Sequence, residues 1–248
     1  MSEQGNPQKL PPDRILEVME QGEVDTEHGI LRWSSNYAFL VTIRLGDDAV
    51  NAVYKPQRGE RPLWDFPDGT LCYRETAAFV TSKEICWEVV PPTVLREGPR
   101  GIGSFQFFIE HDPQVNYFSF DETMMPQLKR MALFDYIVNN ADRKGGHCLV
   151  DSEGHLWGID HGITFNSVHK LRTVIWDFAG QPIGDALLSD INRLCSVLDD
   201  VTTPYAQSMH KLLSGSEIRA FQNRLRHVLK HRRYPQPGPG PNYPWPPV

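Results

Sequence analysis

The sequence predicts an α+β fold, with a strand-rich N-terminal half and a mainly helical C-terminal half. Short runs of β-branched and aromatic residues dominate the first half, and long segments with apolar residues at helical spacing dominate the second. The strand-like runs are 37–43, 49–54, 89–96 and 104–110, and the longest helical segments are 123–138 and 214–228. A hairpin-like segment at 147–160 lies between the two helical segments.

The composition is that of an ordinary globular chain. With 248 residues it can bury a sizeable core, as one large domain or as two closely packed lobes. Its net charge of −6 argues against bulk attraction to nucleic acid or anionic lipid. No apolar run approaches the roughly 18 residues that a membrane span needs. The scattered cysteines and the lack of a signal peptide predict reduced thiols and a cytoplasmic location.

The N-terminal half begins with a polar, proline-bearing arm at residues 1–12 and a short amphipathic helix at 13–21. Ser34-Ser35-Asn36 is a polar turn before the first strand-like run. The first two runs are joined by Gly46-Asp47-Asp48, which predicts a hairpin. Taken by itself, the Ser34-Ser35-Asn36 segment is a simple turn.

Lys55 ends the second strand-like run, and a predicted helix at 71–80 carries Glu75 twenty residues later. A lysine at the end of a strand is usually a solvated surface residue. The alternative is an ion pair with Glu75, which would hold the lysine inside a site.

The C-terminal half is predicted to contain at least three helices. Thr123 is a suitable N-cap for the first, with Pro126 tolerated in the first turn. A second helix is expected at 185–197, and Ser214 with Glu217 forms a capping box for a third. The Pro-rich tail (residues 234–248) can form neither a helix nor a strand ladder, because proline lacks the N–H donor. It is expected to bind a partner or to lie along the domain.

The segment between the first helix and the hairpin carries the chemistry. Asp142 precedes a loop with Gly145-Gly146, and Ser152-Glu153-Gly154 is the predicted hairpin turn. Folding the hairpin about that turn places His147 opposite Ile159, so Asp142, His147 and Asp160 meet at one edge. Two carboxylates and an imidazole suit divalent metal binding and proton abstraction. A purely structural hairpin is the alternative.

This order of residues resembles the catalytic and metal-binding loops of the protein-kinase-like superfamily. In that group an Asp-Arg pair opens the catalytic loop, an Asn five residues later binds metal, and an Asp beyond the hairpin binds it again. Asp142-Arg143, His147 and Asp160 occupy these positions here. Within that superfamily the chain is most similar to phosphatidylinositol 3- and 4-kinases, particularly the type II 4-kinases. The resemblance extends upstream to the segments 53–56 and 103–110. It also resembles a small actinobacterial family of uncharacterised proteins related to those kinases.

The resemblance implies a two-lobed, protein-kinase-like fold with a small β-rich N-lobe and a mainly helical C-lobe. The implied divisions are an arm at 1–12, an N-lobe at 13–110, a C-lobe at 111–233 and the Pro-rich tail at 234–248. ATP would lie between the lobes, its phosphates contacted by a lysine that a glutamate holds in place. The implied nucleotide-binding residues are Lys55, Glu75, the covering loop Ser34, Ser35 and Asn36, and the adenine-binding hinge Phe108, Ile109 and Glu110.

The resemblance also assigns the catalytic and metal-binding roles. Asp142 would accept the proton of the attacking hydroxyl, and Asp160 would hold the divalent ion. Arg143 and Lys144 would neutralise phosphate charge or pair with a neighbouring carboxylate. His147 replaces the family's Asn, and imidazole, a softer ligand than an amide oxygen, favours Mn²⁺ over Mg²⁺.

The sequence therefore predicts a kinase-like phosphotransferase that uses ATP and Mg²⁺ or Mn²⁺ and an unidentified hydroxyl acceptor: a lipid, a protein or a small molecule. Two departures from the family leave alternatives open. The glycine-free covering loop and His147 are compatible with a nucleotide-binding pseudokinase or adaptor. A metal-dependent hydrolase using His147, Asp160 and His161 is the third possibility. The palmitoylated cysteine cluster of the type II 4-kinases is missing, which weakens the prediction of a lipid acceptor.

Overall fold

The protein's structure, a computed structural model, describes residues 10–30 and 37–248. It confirms the α+β class, with a sheet in the N-terminal part and helices dominating the C-terminal part. The strands are β1 (Glu23–Ile30), β2 (Phe39–Leu45), β3 (Asp48–Pro56), β4 (Thr93–Gly98), β5 (Gly101–Phe107), β6 (Cys148–Val150) and β7 (Leu156–Gly158). The α-helices are α1 (Pro12–Gln21), α2 (Leu71–Ile85), α3 (Met125–Val138), α4 (Asp185–Asp199), α5 (Pro204–Leu212) and α6 (Gly215–His231). Ser34, Ser35 and Asn36, expected to cover the phosphates, lie outside the described residues.

The N-terminal sheet is antiparallel, in the order β1-β2-β3-β5-β4. β2 and β3 form the predicted hairpin, in which Leu45 pairs with Asp48. The sequence does not predict β1, because its segment EVDTEHGI has no apolar face and only Val24 is partly buried. Such a polar strand is typical of a sheet edge, where charged residues prevent pairing with other chains.

α1 and one face of the sheet enclose the smaller hydrophobic cluster. Val18 and Met19 of α1 are fully buried, and the ring of Tyr54 stacks on Phe105 with centroids 4.2 Å apart. Because side chains alternate along a strand, Lys55 points to the face opposite Tyr54. That face looks towards α2 and the C-terminal part of the chain.

α2 lies between the sheet and the C-terminal helices, and most of its residues are buried. A helix that is buried on several sides belongs to the interior of a protein. Arg74 ties it to the C-terminal part through an ion pair with Glu217 of α6 and a 2.9 Å hydrogen bond to the carbonyl oxygen of Thr164. These contacts fix the position of Glu75, the next residue along α2.

The C-terminal part encloses the larger hydrophobic cluster around α3, which is buried along most of its length. The prediction that Thr123 caps this helix is wrong: Thr123 lies in a preceding 3₁₀ turn capped by Asp121, and α3 begins at Met125. The capping box of Ser214 and Glu217 is present at the start of α6. α5 was not expected, since it is short and follows a turn without a marked apolar period.

Among the described residues, no helix is both long enough and apolar enough to span a bilayer. All four cysteines are free thiols, as their spacing predicts. The Pro-rich tail lies along the C-terminal part, the second of the two arrangements expected for it. Tyr234 at its start is buried, and its hydroxyl donates to the carbonyl oxygen of Lys129.

Candidate active site

Lys55 lies near the end of β3 and bridges two carboxylates. Its Nζ is 2.5 Å from Oε1 of Glu75 on α2 and 2.9 Å from Oδ1 of Asp160, which follows β7. The lysine side chain is only 17% exposed, so this is a partly enclosed ion cluster rather than a solvated surface pair. The structure thus joins three residues that are distant in sequence and lie on different elements.

The charged groups in this cluster shift one another's pKa values. Burial opposes the charged form of Lys55, but Asp160 and Glu75 raise its pKa above the usual value. Burial likewise opposes ionisation of Asp160, yet Lys55 holds the pKa of that carboxyl below its ordinary range. Burial raises the pKa of Glu75, whose Oε2 accepts from the backbone N–H of His161 at 3.1 Å. Asp160 is therefore a carboxylate with a lysine ammonium bound to one of its oxygens.

His147 lies opposite the second oxygen of Asp160. Its Nδ1 is 2.9 Å from the carbonyl oxygen of Asp142, which can only accept, so Nδ1 carries a proton. Burial lowers the pKa of His147 to about 4, and the imidazole is therefore neutral near pH 7. Its Nε2 lone pair is then 3.5 Å from Oδ2 of Asp160, an arrangement of two acceptors without a proton between them.

Such facing acceptors fit a cation. Ligand atoms of Asp142, His147 and Asp160 all lie within 4.8 Å of one another, and each of the three residues is half-buried. Two carboxylates and one neutral imidazole form a donor set suited to Mn²⁺ and also compatible with Mg²⁺. The hydrogen bond from Nδ1 to a carbonyl is the usual support that fixes the tautomer of a ligating histidine.

Asp142 is the third member of this group, and its side chain is 22% exposed. Burial raises the pKa of its carboxyl to about 6, although Lys144 lowers it through an Nζ–Oδ2 contact of 3.2 Å. The backbone N–H of Asp142 donates to Oδ1 of Asn140 at 3.0 Å, which fixes the start of the loop. A partly exposed carboxylate of this kind can accept a proton near neutral pH.

Arg143 does not face the site. Its guanidinium is fully buried and forms two 2.9 Å hydrogen bonds with the carboxylate of Asp135 on α3. It also donates to the carbonyl oxygens of His147 at 3.1 Å and Ile159 at 2.9 Å. Of the two roles expected for Arg143, pairing with a carboxylate is the one that its buried guanidinium takes in this structure. The arginine therefore joins α3, the loop at 142–147 and the hairpin of β6 and β7.

Asp135 is a member of this network that the sequence pattern does not predict. It is fully buried in α3, where its oxygens accept from Arg143 and from Nδ2 of Asn140 at 2.9 Å. The available signal was a single carboxylate inside the apolar run Leu133–Val138. A buried carboxylate requires a charged or hydrogen-bonded partner, so its presence predicts one nearby.

The other two histidines of the hairpin region are engaged elsewhere. Nη2 of Arg143 donates to Nε2 of His161 at 2.6 Å, so that nitrogen is not free to bind a metal. Nε2 of His155 is 2.7 Å from the carbonyl oxygen of Glu88. The hydrolase alternative required His161 as a ligand together with His147 and Asp160, and this geometry argues against it.

The expected hinge lies just beyond β5. The N–H of Phe108 donates to the carbonyl oxygen of Asn51 at 2.9 Å, which extends the sheet by one residue. Nδ1 of His111 is 2.8 Å from the carbonyl oxygen of Ile109. Ile109 is buried and Glu110 is exposed, so the chain leaves the sheet here for the C-terminal part.

Comparisons with known proteins identify relatives of this chain. The family model described as Phosphatidylinositol 3- and 4-kinase matches residues 93–187, which include the loop at 142–147 and the hairpin of β6 and β7. Protein Rv2133c of Mycobacterium tuberculosis is 36% identical to the chain, over 92% of this chain and 94% of that protein.

A solved structure supports the fold. The crystal structure of a Helicobacter pylori proinflammatory kinase, CtkA, aligns with a TM-score of 0.51 over 86% of this chain and 94% of the kinase. Because the two sequences share only 13% identity, the likeness concerns the fold alone. It confirms the predicted two-lobed, kinase-like architecture.

Proposed function

The chain belongs to a bacterial family of phosphatidylinositol 3- and 4-kinase-like proteins that includes Protein Rv2133c, and from this premise we propose that it is an ATP-dependent phosphotransferase. It transfers the γ-phosphoryl group of ATP to a hydroxyl acceptor. One observation carries the proposal: Lys55 is paired with Glu75 and Asp160, and Asp160 in turn faces the free lone pair of His147. A hydrolase site needs no such lysine.

The nucleotide is assigned to the cleft beside this cluster. Lys55 contacts the phosphates, while Phe108, Ile109 and Glu110 hold the adenine through their backbone. Ser34, Ser35 and Asn36 are proposed to cover the phosphates. With the hinge at these residues, the proposed N-lobe is 13–110 and the proposed C-lobe is 111–233.

Asp160 and His147 are the proposed metal ligands, with Asp142 at the edge of the same group. A bound divalent ion supplies neutralisation of the phosphate charge. The Asp142 carboxylate accepts the proton of the acceptor hydroxyl, and the Lys144 ammonium beside it orients that carboxylate and offsets charge on the transferred group. Arg143 holds the loop and the hairpin together through its buried hydrogen bonds to the carbonyl oxygens of His147 and Ile159.

The test is transfer of radiolabelled γ-phosphate from ATP, with Mg²⁺ and with Mn²⁺, to separate pools of lipids, proteins and small metabolites. Label in one pool would support the phosphotransferase and name the acceptor class. ATP binding without label in any pool would favour the second candidate, a nucleotide-binding pseudokinase. That candidate is supported by one observation, the imidazole of His147 at a position where kinases carry an amide.

Lys55→Met is expected to weaken ATP binding, because it removes a charged donor to the phosphates. Hydrogen bonds to charged groups contribute about 1.5–3 kcal/mol, so the dissociation constant should rise about 10- to 150-fold. Calorimetry measures this. Lys170→Met is the matched control, because Lys170 is similarly enclosed, at 12% exposure, and pairs with Asp65 instead. An equal loss in both variants would contradict a direct role for Lys55.

His147→Asn is expected to shift the metal preference towards Mg²⁺, because a hard amide oxygen replaces the softer imidazole nitrogen. The ratio of Mn²⁺ to Mg²⁺ affinity, measured with and without ATP, should fall. His155→Asn is the control, since that histidine bonds a carbonyl outside the cluster. An unchanged metal profile in His147→Asn would show that the imidazole is not a ligand.

A further inference from the structure

The loop between Asp142 and His147 contains a 3₁₀ turn, Gly145–His147, whose first N–H has no partner within the turn. The Pro-rich tail supplies that partner: the N–H of Gly145 donates to the carbonyl oxygen of Pro247 at 2.8 Å. His147 closes the turn with an N–H donated to the carbonyl oxygen of Lys144 at 3.1 Å. The tail therefore contacts the backbone directly between the proposed base and the proposed metal ligand.

The tail is also bound beside this loop, at a neighbouring segment. The carbonyl oxygen of Asn242 accepts from the backbone N–H of Thr173 at 3.1 Å and from Nε1 of Trp176 at 3.2 Å. Thr173 itself forms a bridge with Arg143 of the loop. The tail thus supports the loop twice, directly at Gly145 and indirectly through Thr173.

In all three of these contacts the tail is the acceptor, through the carbonyl oxygens of Pro247 and Asn242. Proline has no N–H but keeps its carbonyl, so a Pro-rich segment presents mainly acceptors. The loop and the segment after it present donors, at Gly145, Thr173 and Trp176. Because proline also restricts the unfolded chain, fixing such a segment against the domain costs less conformational entropy than fixing an ordinary one.

Gly145 is held from its other side as well. A Cβ atom on this residue would lie 2.6 Å from a ring carbon of Phe118, so a side chain here would require that ring to move. The residue is enclosed between the Phe118 ring and the Pro247 carbonyl. Its position fixes the turn that carries Lys144 at one end and His147 at the other.

From these contacts we infer that the Pro-rich tail is a positioning element of the proposed phosphoryl-transfer site. It acts through the backbone of Gly145 and holds Lys144 and His147 in the arrangement that metal binding and transfer require. The inference rests on the proposed function for the transfer step, but the contact itself and its effect on metal binding can be measured without turnover.

The experiment compares the full chain with a chain shortened to end at Gln236, which keeps the buried Tyr234. The first measurement is hydrogen exchange at the Gly145 amide, expected to be slow in the full chain and fast in the shortened one. The second is Mn²⁺ affinity, expected to fall about 10- to 100-fold, the loss typical when the support of a metal ligand is removed. Transfer should fall by a similar factor, and a peptide of residues 237–248 should restore both.

Trp245→Ala is the matched control. Its side chain is 88% exposed, and the substitution leaves the carbonyls of Asn242 and Pro247 in place. Exchange at Gly145, Mn²⁺ affinity and transfer should all stay as in the full chain.

Three outcomes would overturn the inference: an unchanged Gly145 amide in the shortened chain, unchanged Mn²⁺ affinity, or faster transfer, which would make the tail a cover over the acceptor site. A loss in Trp245→Ala equal to that of shortening would also overturn it, since the effect would then belong to a side chain. If the shortened chain unfolds, a chain that ends at Pro246 replaces it, because it lacks the Pro247 carbonyl and keeps both contacts of Asn242. Unchanged exchange at Gly145 would then overturn the inference. If the full chain transfers no phosphoryl group, the proposed function fails, while exchange and Mn²⁺ affinity still decide the role of the tail.

Discussion

Asp142→Asn is expected to lower phosphoryl transfer about 10²- to 10⁴-fold, the usual loss when a general base is removed. The substitution keeps the shape of the side chain and removes its charge. Because the Asp142 side chain is partly exposed and its backbone bond to Asn140 is retained, the fold should persist. ATP binding should stay within a few fold of wild type.

The measurement is single-turnover transfer at saturating ATP and metal. Lys144→Met gives the comparison within the same pair, because it removes the ammonium and keeps the carboxylate. Transfer in Asp142→Asn at the wild-type rate would mean that the base is another group and that the role of this loop is misassigned. Loss of nucleotide binding together with transfer would indicate damage to the metal group instead.

Asp135→Asn is expected to cause the largest loss of stability of any change discussed here. It leaves the buried Arg143 guanidinium without a counter-charge, and breaking a buried ion pair from one side typically costs about 3–5 kcal/mol. For a chain of this size that corresponds to a fall in Tm of roughly 6–20 °C. Thermal and urea unfolding measure both quantities.

Asp185→Asn is the matched control, because it breaks an ion pair with Arg232 at the surface, where Asp185 is 91% exposed. It should change stability little, since exposed pairs contribute little. Equal effects of Asp135→Asn and Asp185→Asn would contradict the supporting role given to Arg143.

The sequence predicts the parts of this protein whose side chains carry a pattern. The β2–β3 hairpin and the capped α6 follow from apolar period and turn residues. β1 does not, because an exposed edge strand needs no apolar face. The start of α3 differs from the prediction because a 3₁₀ turn precedes the helix. Asp121, and not Thr123, caps that turn.

The same distinction holds at the site. The spacing of Asp142, His147 and Asp160 around a hairpin predicts that they meet. The inward direction of Arg143 depends on Asp135, one helical turn before Asn139, and only the packed structure brings those charges together. The bond between Gly145 and Pro247 joins two backbones, and backbone contacts leave no signature in residue type.

The central claim, a nucleotide–metal site at Lys55, Asp160 and His147, is tested most directly by calorimetric titration of the full chain with ATP. The account predicts binding that depends on a divalent ion, is tighter with Mn²⁺ than with Mg²⁺, and is weakened in Lys55→Met. No binding up to millimolar ATP with either ion would contradict it.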